Sequence, residues 1–364
     1  MKRFLILFLL VVITGITAFA QISMQEVAVV RLTRSQPITV SQLRTEMERR
    51  AWPNLRNRLR RNPTPAELRA EVQNSTVQQR RNILETMIDE VLILQAAERD
   101  RITVSDAEVN QQMNQLRMMM AQEEGRQPTD EEFALAIMNE TGQSLPAFRE
   151  SMRRQLVAQR YLLTQKQDLF ASVREPTEAE ILNLFNLSRA QFVRPETVRF
   201  SMIHVPSGAD AASRARAREL ADRLSREIGS DPSRFDEAVI RGRAPNSGYQ
   251  AGDGGYIPRN LAAQQMMGEE FVNTAFSLRQ GEVSRVLEGP QGFKIIKITT
   301  SLPQRNLELN DIMVPGTTET VRQNIAGALL QQRLQETTAR AAQELMTELR
   351  AGNPFQIMEN NLNW

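Results

Sequence analysis

The chain has 364 residues, of which 41% are hydrophobic and 24% are charged, a balance typical of two or three folded domains rather than of a disordered protein. Its 45 basic and 43 acidic residues indicate no general attraction to nucleic acid or to an anionic membrane. With no cysteine and one histidine, His204, the chain lacks disulfides, thiol nucleophiles and two-His metal sites. It also lacks the glycine motifs that bind nucleotide phosphates, so we expect no metal and no other cofactor.

Residues 1–20 have the pattern of an export signal. Lys2 and Arg3 precede an apolar run, and small residues two positions apart end at Ala20, which predicts cleavage between Ala20 and Gln21. The alternative is an uncleaved anchor, because the apolar run approaches the length that spans a bilayer. No cysteine is available for lipidation and no later stretch is apolar enough to span, so we expect an exported protein that is not inserted in the membrane.

The first half of the chain is predicted to be mainly helical after a short strand over 26–32. Apolar residues recur at helical spacing over 83–97 and 145–169. Several helix starts carry a hydroxyl residue followed three positions later by glutamate, which together satisfy free N–H groups at a helix start. These capping boxes are Thr64…Glu67, Ser105…Glu108, Thr129…Glu132 and Thr177…Glu180.

Methionines cluster in the stretch over 110–124, at Met113, Met118, Met119 and Met120. Methionine fills irregular cores, and it is also favoured on surfaces that accept many partners. Core packing and an adaptable substrate surface are both open interpretations of this cluster.

The pattern changes at Pro195. The sequence predicts a strand over 197–205, an arginine-rich helix over 209–228 and a strand over 292–298, with glycine- and proline-rich turns between them. Helical spacing returns over 319–351, and that helix needs an apolar partner surface. We therefore predict an α+β fold, in which a compact α+β domain is inserted into a discontinuous, mainly helical domain.

Short motifs in this block resemble the parvulin (rotamase) family of peptidyl-prolyl isomerases. They are Val198-Arg199-Phe200-Ser201, Gly252-Asp253-Gly254-Gly255-Tyr256, Met267…Phe271, Ala275-Phe276-Ser277-Leu278, Gly281-Glu282-Val283-Ser284 and Gly292-Phe293-Lys294-Ile295-Ile296-Lys297. The helical part resembles the N-terminal domain of SurA-type periplasmic chaperones, through Arg81-x-x-Leu84-x-x-x-Ile88-Asp89 and Ile102-Thr103-Val104-Ser105-Asp106-x-Glu108-Val109.

This resemblance implies a signal peptide over 1–20, a SurA-like helical domain over 21–194, one parvulin-like domain over 195–300 and a C-terminal helix over 301–364 that packs on the N-terminal domain. It implies a periplasmic, ATP-independent chaperone whose partners are unfolded or nascent exported proteins, outer-membrane proteins among them. Nucleic acid is not an expected partner, and the oligomeric state is open.

The resemblance also implies an apolar pocket that grips proline. Met267 and Phe271 occupy the family's pocket positions, and their spacing of four predicts one shared helical face. Ordinary core packing is the alternative for both residues. The full set expected to bind peptide is Met202, His204, Met267, Phe271, Phe276 and Phe293.

The polar groups of the family are replaced in this sequence. Met202 and Lys294 stand where the family has histidines, and Pro245 aligns with its Cys or Asp. His204 follows Met202 by two residues on the same strand face and is the one weak candidate for a catalytic residue. We therefore expect a domain that binds peptides with weak or no isomerase activity. An active isomerase, or an adaptor for one folded envelope protein, are the alternatives.

Overall fold

The structure, a computed structural model, describes residues 24–208, 210–229, 231–244 and 246–364. The predicted signal peptide, the cleavage site at Ala20 and Gln21, and Pro245 lie outside these residues. The chain divides into two compact units, one with the residues up to Val173 together with Leu334–Trp364 and the other with Arg174–Arg333. Over the described ranges, none of the helices combines the length and hydropathy needed to cross a bilayer.

Helices and strands follow one another in chain order. The helices are α1 (Val40–Leu59), α2 (Pro65–Gln73), α3 (Val77–Arg99), α4 (Asp106–Glu124), α5 (Asp130–Thr141), α6 (Leu145–Gln165), α7 (Gln167–Ala171), α8 (Glu178–Leu187), α9 (Ala211–Ile228), α10 (Pro232–Arg241), α11 (Leu261–Met267), α12 (Glu269–Ser277) and α13 (Val321–Arg350). The strands are β1 (Glu26–Val30), β2 (Gln36–Thr39), β3 (Val193–Arg194), β4 (Thr197–Pro206), β5 (Gln250–Pro258), β6 (Leu287–Gly289), β7 (Gly292–Leu302), β8 (Arg305–Asn306) and β9 (Phe355–Ile357). The division between the units falls within α13.

All the predicted capping boxes are present, at the starts of α2, α4, α5 and α8. In each, the hydroxyl oxygen accepts from a backbone N–H, and the glutamate accepts from the backbone N–H of the capping residue. Two more boxes begin α1 and α3, where Gln42 and Gln79 take the place of glutamate. The backbone is therefore fixed locally at the starts of most helices in the first unit.

A small antiparallel sheet in the first unit has the order β2–β1–β9. Ala28 of β1 lies opposite Ile38 on one side and Ile357 on the other. The strand predicted over 26–32 is present as β1, which ends at Val30, and residues 36–39 form a second strand, β2. Pro37 is tolerated there because β2 is an edge strand.

The core of the first unit is built along α3, where Leu84, Ile88 and Leu92 are fully buried. Leu345 and Leu349 of α13 and the fully buried Leu362 join the same cluster. A second cluster lies among α4, α5 and α6, and it includes Val109, Met113, Phe133 and Ile137.

Arg80 of α3 is a buried cation beneath the C-terminal segment, with 5% of its surface exposed. Its guanidinium donates to the carbonyls of Leu362 at 2.8 Å and Gln73 at 3.1 Å, and to Ser75 Oγ at 3.0 Å. It also lies 3.9 Å from the ring centroid of Trp364. Burial, and to a smaller extent the charge of Arg44, lower the pKa of Arg80.

The second unit contains a four-stranded antiparallel sheet of order β5–β4–β7–β6. Helices α9 and α10 supply the cluster on one face, together with Ile203 and Val205 of β4. Helix α12 supplies Phe271, Val272 and Ala275 to the cluster on the other face. This alternation places successive β4 residues in two different environments.

A third cluster of the second unit combines α8 with the first turns of α13. Ile181, Phe185, Leu307, Val321 and Ile325 are buried in it. The fold class predicted from the sequence, α+β with an α+β block inserted into a mainly helical part, is confirmed.

Candidate functional site

The candidate site lies on the α12 side of the four-stranded sheet. Val198 and Phe200 of β4 pack into the cluster on that side, and Met202 is packed against it. Ile203 and Val205 pack on the opposite side, so His204 shares the side of Met202 by strand alternation. The structure thus brings Met202 and His204 to one face, as their spacing predicts.

An aromatic pair forms the apolar centre of this face. The rings of Phe200 and Phe271 meet edge to face with their centroids 5.2 Å apart, a geometry that aromatic rings favour. Phe271 is 4% exposed, while Met267 and Phe276 are partly buried against the same cluster. Met267 and Phe276 therefore combine apolar contact with accessible surface, as a site that binds a proline ring requires.

The prediction that Met267 and Phe271 share one helical face is wrong. Met267 ends α11 and Phe271 lies in α12, because Gly268 between them has a φ of +95° that interrupts the helix. Both side chains nevertheless belong to the same apolar cluster. Their proximity comes from the corner at Gly268 rather than from helical periodicity.

The glycine motif over 252–256, expected among the turns, lies instead within the strand β5 beside this centre. A Cβ atom at Gly254 would stand 2.2 Å from Cε2 of Phe200, so only glycine leaves room for the ring. Arg199 donates to Asp253 at 2.5 Å, and this hydrogen bond is the largest cause of the lowered pKa of the Asp253 carboxyl. Arg199 is thus the partner that braces this part of β5, and the sequence alone does not reveal the pair because it depends on the packing of β4 beside β5.

The polar side of the site combines one imidazole and one ammonium group. His204 lies opposite Lys294 in the β4–β7 ladder, and its Nε2 is 3.3 Å from the carbonyl oxygen of Gln291. Lys294 Nζ lies 5.3 Å from the ring centroid of Phe271, which is cation–π distance. Among the described residues, no group of three or more His, Asp or Glu side chains could hold a metal ion.

Phe293 is not brought together with the other predicted peptide-binding residues. It is 2% exposed and packs in the cluster on the α9 and α10 side of the sheet. Arg214 and Arg218 lie 5.4 and 5.5 Å from its ring centroid there. Phe276, by contrast, stays on the α12 side, with Arg259 at 5.5 Å from its ring centroid.

The first unit offers a second kind of surface. Met113 is buried, whereas Met118 and Met119 are 51% and 54% exposed, so the methionine cluster serves both core and surface. A groove of about 420 Å³ between α4 and α6 is lined by Leu156, Leu163 and several uncharged polar side chains. Its charged residues, Glu108 and Arg160, pair with each other. That pairing and the Ser105 cap lower the pKa of Glu108 to about 2.

Two protein-family models match the chain. Residues 1–162 match the SurA-like N-terminal domain, and residues 176–312 match the PPIC-type PPIASE domain. The chain therefore carries a SurA-like N-terminal region followed by a single domain of the parvulin type, as the resemblance implies.

The similar proteins include chaperones named SurA. The chain is 32% identical to Chaperone SurA of Alcanivorax borkumensis over 65% of this chain and 48% of that protein. It is 26% identical to Chaperone SurA of Pseudoalteromonas translucida over 59% of this chain and 46% of that protein. The chain thus spans about half the length of the chaperones that it matches.

The solved structures to which the chain is similar are more distant in sequence. One of the two related SurA-like chaperones PEB4 and Cj1289 of Campylobacter jejuni is 13% identical, with a TM-score of 0.34 over 92% of this chain and 99% of that one. PrsA from Bacillus subtilis is 17% identical, with a TM-score of 0.27 over 86% of this chain and 89% of that one.

Proposed function

We propose that this chain, which joins a SurA-like N-terminal domain to one PPIC-type domain, is an ATP-independent chaperone of the periplasm. It holds unfolded exported proteins, outer-membrane proteins among them. Its PPIC-type domain binds X–Pro segments and isomerises them weakly or not at all. The names of the similar SurA chaperones and the export signal predicted over 1–20 support this compartment and this class of partner.

The observation that carries the proposal is the composition of the site on the α12 side of the sheet. Isomerising an X–Pro bond means twisting an amide over a barrier of about 20 kcal/mol, so the site must favour the twisted amide over the planar one. Apolar contact with the proline ring stabilises the planar and the twisted amide about equally. Met267, Phe271 and Phe276 supply that contact, which is what binding alone requires.

Polar groups that would distinguish the twisted amide are few on this face. Met202 offers no hydrogen bond of ordinary strength, and His204 is engaged with the Gln291 carbonyl at 3.3 Å. Lys294 is turned to the Phe271 ring. Because these three side chains lie on the face of the apolar centre, we infer that binding energy is not converted into a large rate enhancement.

Surfaces of the helical unit support the chaperone part of the proposal. The exposed Met118 and Met119 are flexible apolar groups that can adapt to many sequences. The groove between α4 and α6 combines leucine side chains with glutamine amides, which match the donors and acceptors of an unfolded backbone. Release without ATP then requires contacts that are individually weak.

An active isomerase is the second candidate, and His204 is the observation that favours it. The imidazole shares the face of Met202 and stands across the ladder from Lys294, so one titratable ring lies beside the apolar centre. Rotation away from Gln291 would free its Nε2 to contact a bound peptide.

NMR exchange spectroscopy on a panel of X–Pro peptides with residues 21–364 distinguishes these candidates. We expect the peptide signals to shift or broaden on binding without faster cis–trans exchange. Met267→Ala should weaken the binding because it removes part of the apolar contact. Met266→Ala is the matched control, since its side chain is 76% exposed on the same helix.

Faster exchange that is lost in Met267→Ala but kept in Met266→Ala would overturn the binding-only proposal and make His204 the next residue to change. The chaperone part has its own assay, the aggregation of a urea-unfolded outer-membrane protein diluted into buffer without ATP. We expect slower aggregation with the chain present. An unchanged rate of aggregation with this chain in molar excess would contradict the chaperone part of the proposal.

A further inference from the structure

Lys294 differs from the other cations around the candidate site. Arg259 pairs with Glu196 at 2.8 Å, Arg285 with Glu270 at 3.1 Å, and Arg199 with Asp253. In the part of the chain that the structure describes, Lys294 has no carboxylate within ion-pair distance, and the contact it makes through its charge is with the Phe271 ring.

The position of this ammonium group limits the ways in which its charge can be balanced. It belongs to β7, between His204 on β4 and Leu287 on β6, and its side chain is half-buried. Glu269 begins α12, two residues before Phe271, and residues two apart in a helix do not face each other. Among the described residues, no Asp or Glu therefore forms an ion pair with Lys294 beside the apolar centre.

We propose that Lys294 makes the site selective for X–Pro segments in which X is aspartate or glutamate. This inference rests on the proposed function, because it takes the apolar cluster as the place that holds the proline ring. With that ring against Met267 and Phe271, the side chain of the preceding residue lies within one side-chain length of Phe271. Lys294 Nζ is 5.3 Å from the centroid of that ring.

The chemistry favours a carboxylate over a neutral or basic side chain. A half-buried ammonium group is partly removed from water, so an opposite charge supplied by the ligand interacts with it more strongly than in bulk solvent. A basic residue at X would be repelled by Lys294. Lys294 thus acts as a specificity-determining residue, whereas the apolar cluster provides sequence-independent affinity.

The test uses three peptides that are identical except at X, with Glu-Pro, Gln-Pro and Lys-Pro, titrated into residues 21–364. We expect Glu-Pro to bind roughly two- to fivefold more tightly than Gln-Pro, as for a partly exposed ion pair, and Lys-Pro to bind least. Lys294→Met should remove the difference between Glu-Pro and Gln-Pro, and Lys294→Glu should reverse the order. Because the effect is electrostatic, added salt should shrink it.

Arg223→Gln is the charge-matched control. Arg223 is an exposed cation of α9, the helix that packs on the other side of the sheet, so its removal should leave the preference unchanged. Equal affinities for the three peptides, or a preference for Glu-Pro that survives in Lys294→Met, would overturn the inference. Failure of the proposed function is distinguishable, because then none of the peptides binds, or Met267→Ala leaves the affinity for Gln-Pro unchanged.

Discussion

Replacement of Arg80 by methionine tests the role of the buried guanidinium beneath the C-terminal segment. The substitution keeps an unbranched apolar side chain but removes the hydrogen bonds to the Leu362 and Gln73 carbonyls and the contact with the Trp364 ring. We expect Arg80→Met to lower the free energy of unfolding of the first unit while leaving the second unit unchanged.

The magnitude follows from three terms. Two carbonyls lose a charge-assisted donor, at about 1.5 kcal/mol each, and loss of the cation–π contact adds about 1 kcal/mol. The Ser75 hydroxyl also loses a donor but keeps its own hydrogen bond to the Val72 carbonyl, so its contribution is small beside these. Part of this loss of stability is offset, because the substitution also removes a buried charge that no carboxylate among the described residues compensates, and burying such a charge is unfavourable. The lowering of the Arg80 pKa by burial reflects the same cost. We therefore expect a net loss of about 2–3 kcal/mol.

Tryptophan fluorescence during urea unfolding measures this change. Both tryptophans, Trp52 and Trp364, lie in the first unit, so the signal reports on that unit alone, and Trp52→Phe isolates Trp364. Arg81→Met is the control, because its ion pairs with Glu85 and Glu359 are exposed and such pairs contribute about 1 kcal/mol or less. If Arg80→Met were no more destabilising than Arg81→Met, the assignment of Arg80 as a stabilising group would be wrong.

Two further predictions concern the turn before β7 and the helix caps. Gly292→Ala should destabilise the second unit by about 3 kcal/mol or more, because φ is +134° and the new Cβ would lie 2.1 Å from the Val205 carbonyl oxygen. Gly289→Ala is the control, because its new Cβ would have its first neighbour at 3.7 Å, and it should destabilise the unit far less. Hydrogen exchange of the β4 and β7 amides compares the two variants. Equal protection of these amides in both would contradict the prediction. Hydrogen bonds from arginine side chains, and after them those of the caps, hold the pKa of Glu67, Glu108 and Glu132 at about 2, below about 4.3 in an unfolded chain. Their stabilisation is therefore present above the unfolded value and lost as the pH falls towards 2. Converting all three to glutamine should flatten the acid dependence of unfolding between pH 5 and 2, and an unchanged acid profile would refute this.

The parts of this fold that could be predicted from the sequence are those set by residues close together in the chain, such as the starts of helices. The four glutamate capping boxes each lie within four residues, and the hydrogen bonds they make depend on little else. The capping boxes at Thr39 and Thr76 have the same geometry with an uncharged glutamine in place of glutamate. The pattern of a hydroxyl residue followed by glutamate therefore does not predict them.

Contacts between distant residues could not be predicted in this way. Strand β9 is three residues long and pairs with β1, and so short a segment has no periodicity of its own. The corner at Gly268 breaks the spacing of four between Met267 and Phe271. Lys294 was identified as a substituted position, but its contact with Phe271 depends on the packing of α12 on the sheet.

The small sheet of the first unit has a consequence for the order in which the chain becomes structured. Its central strand, β1, obtains one of its two neighbours from residues 355–357, whereas the second unit is continuous over 174–333. A chain that emerges from its N-terminus can therefore complete the second unit while β1 still presents an open edge. Until residues 355–357 arrive, that edge can accept other strands, including those of a neighbouring copy.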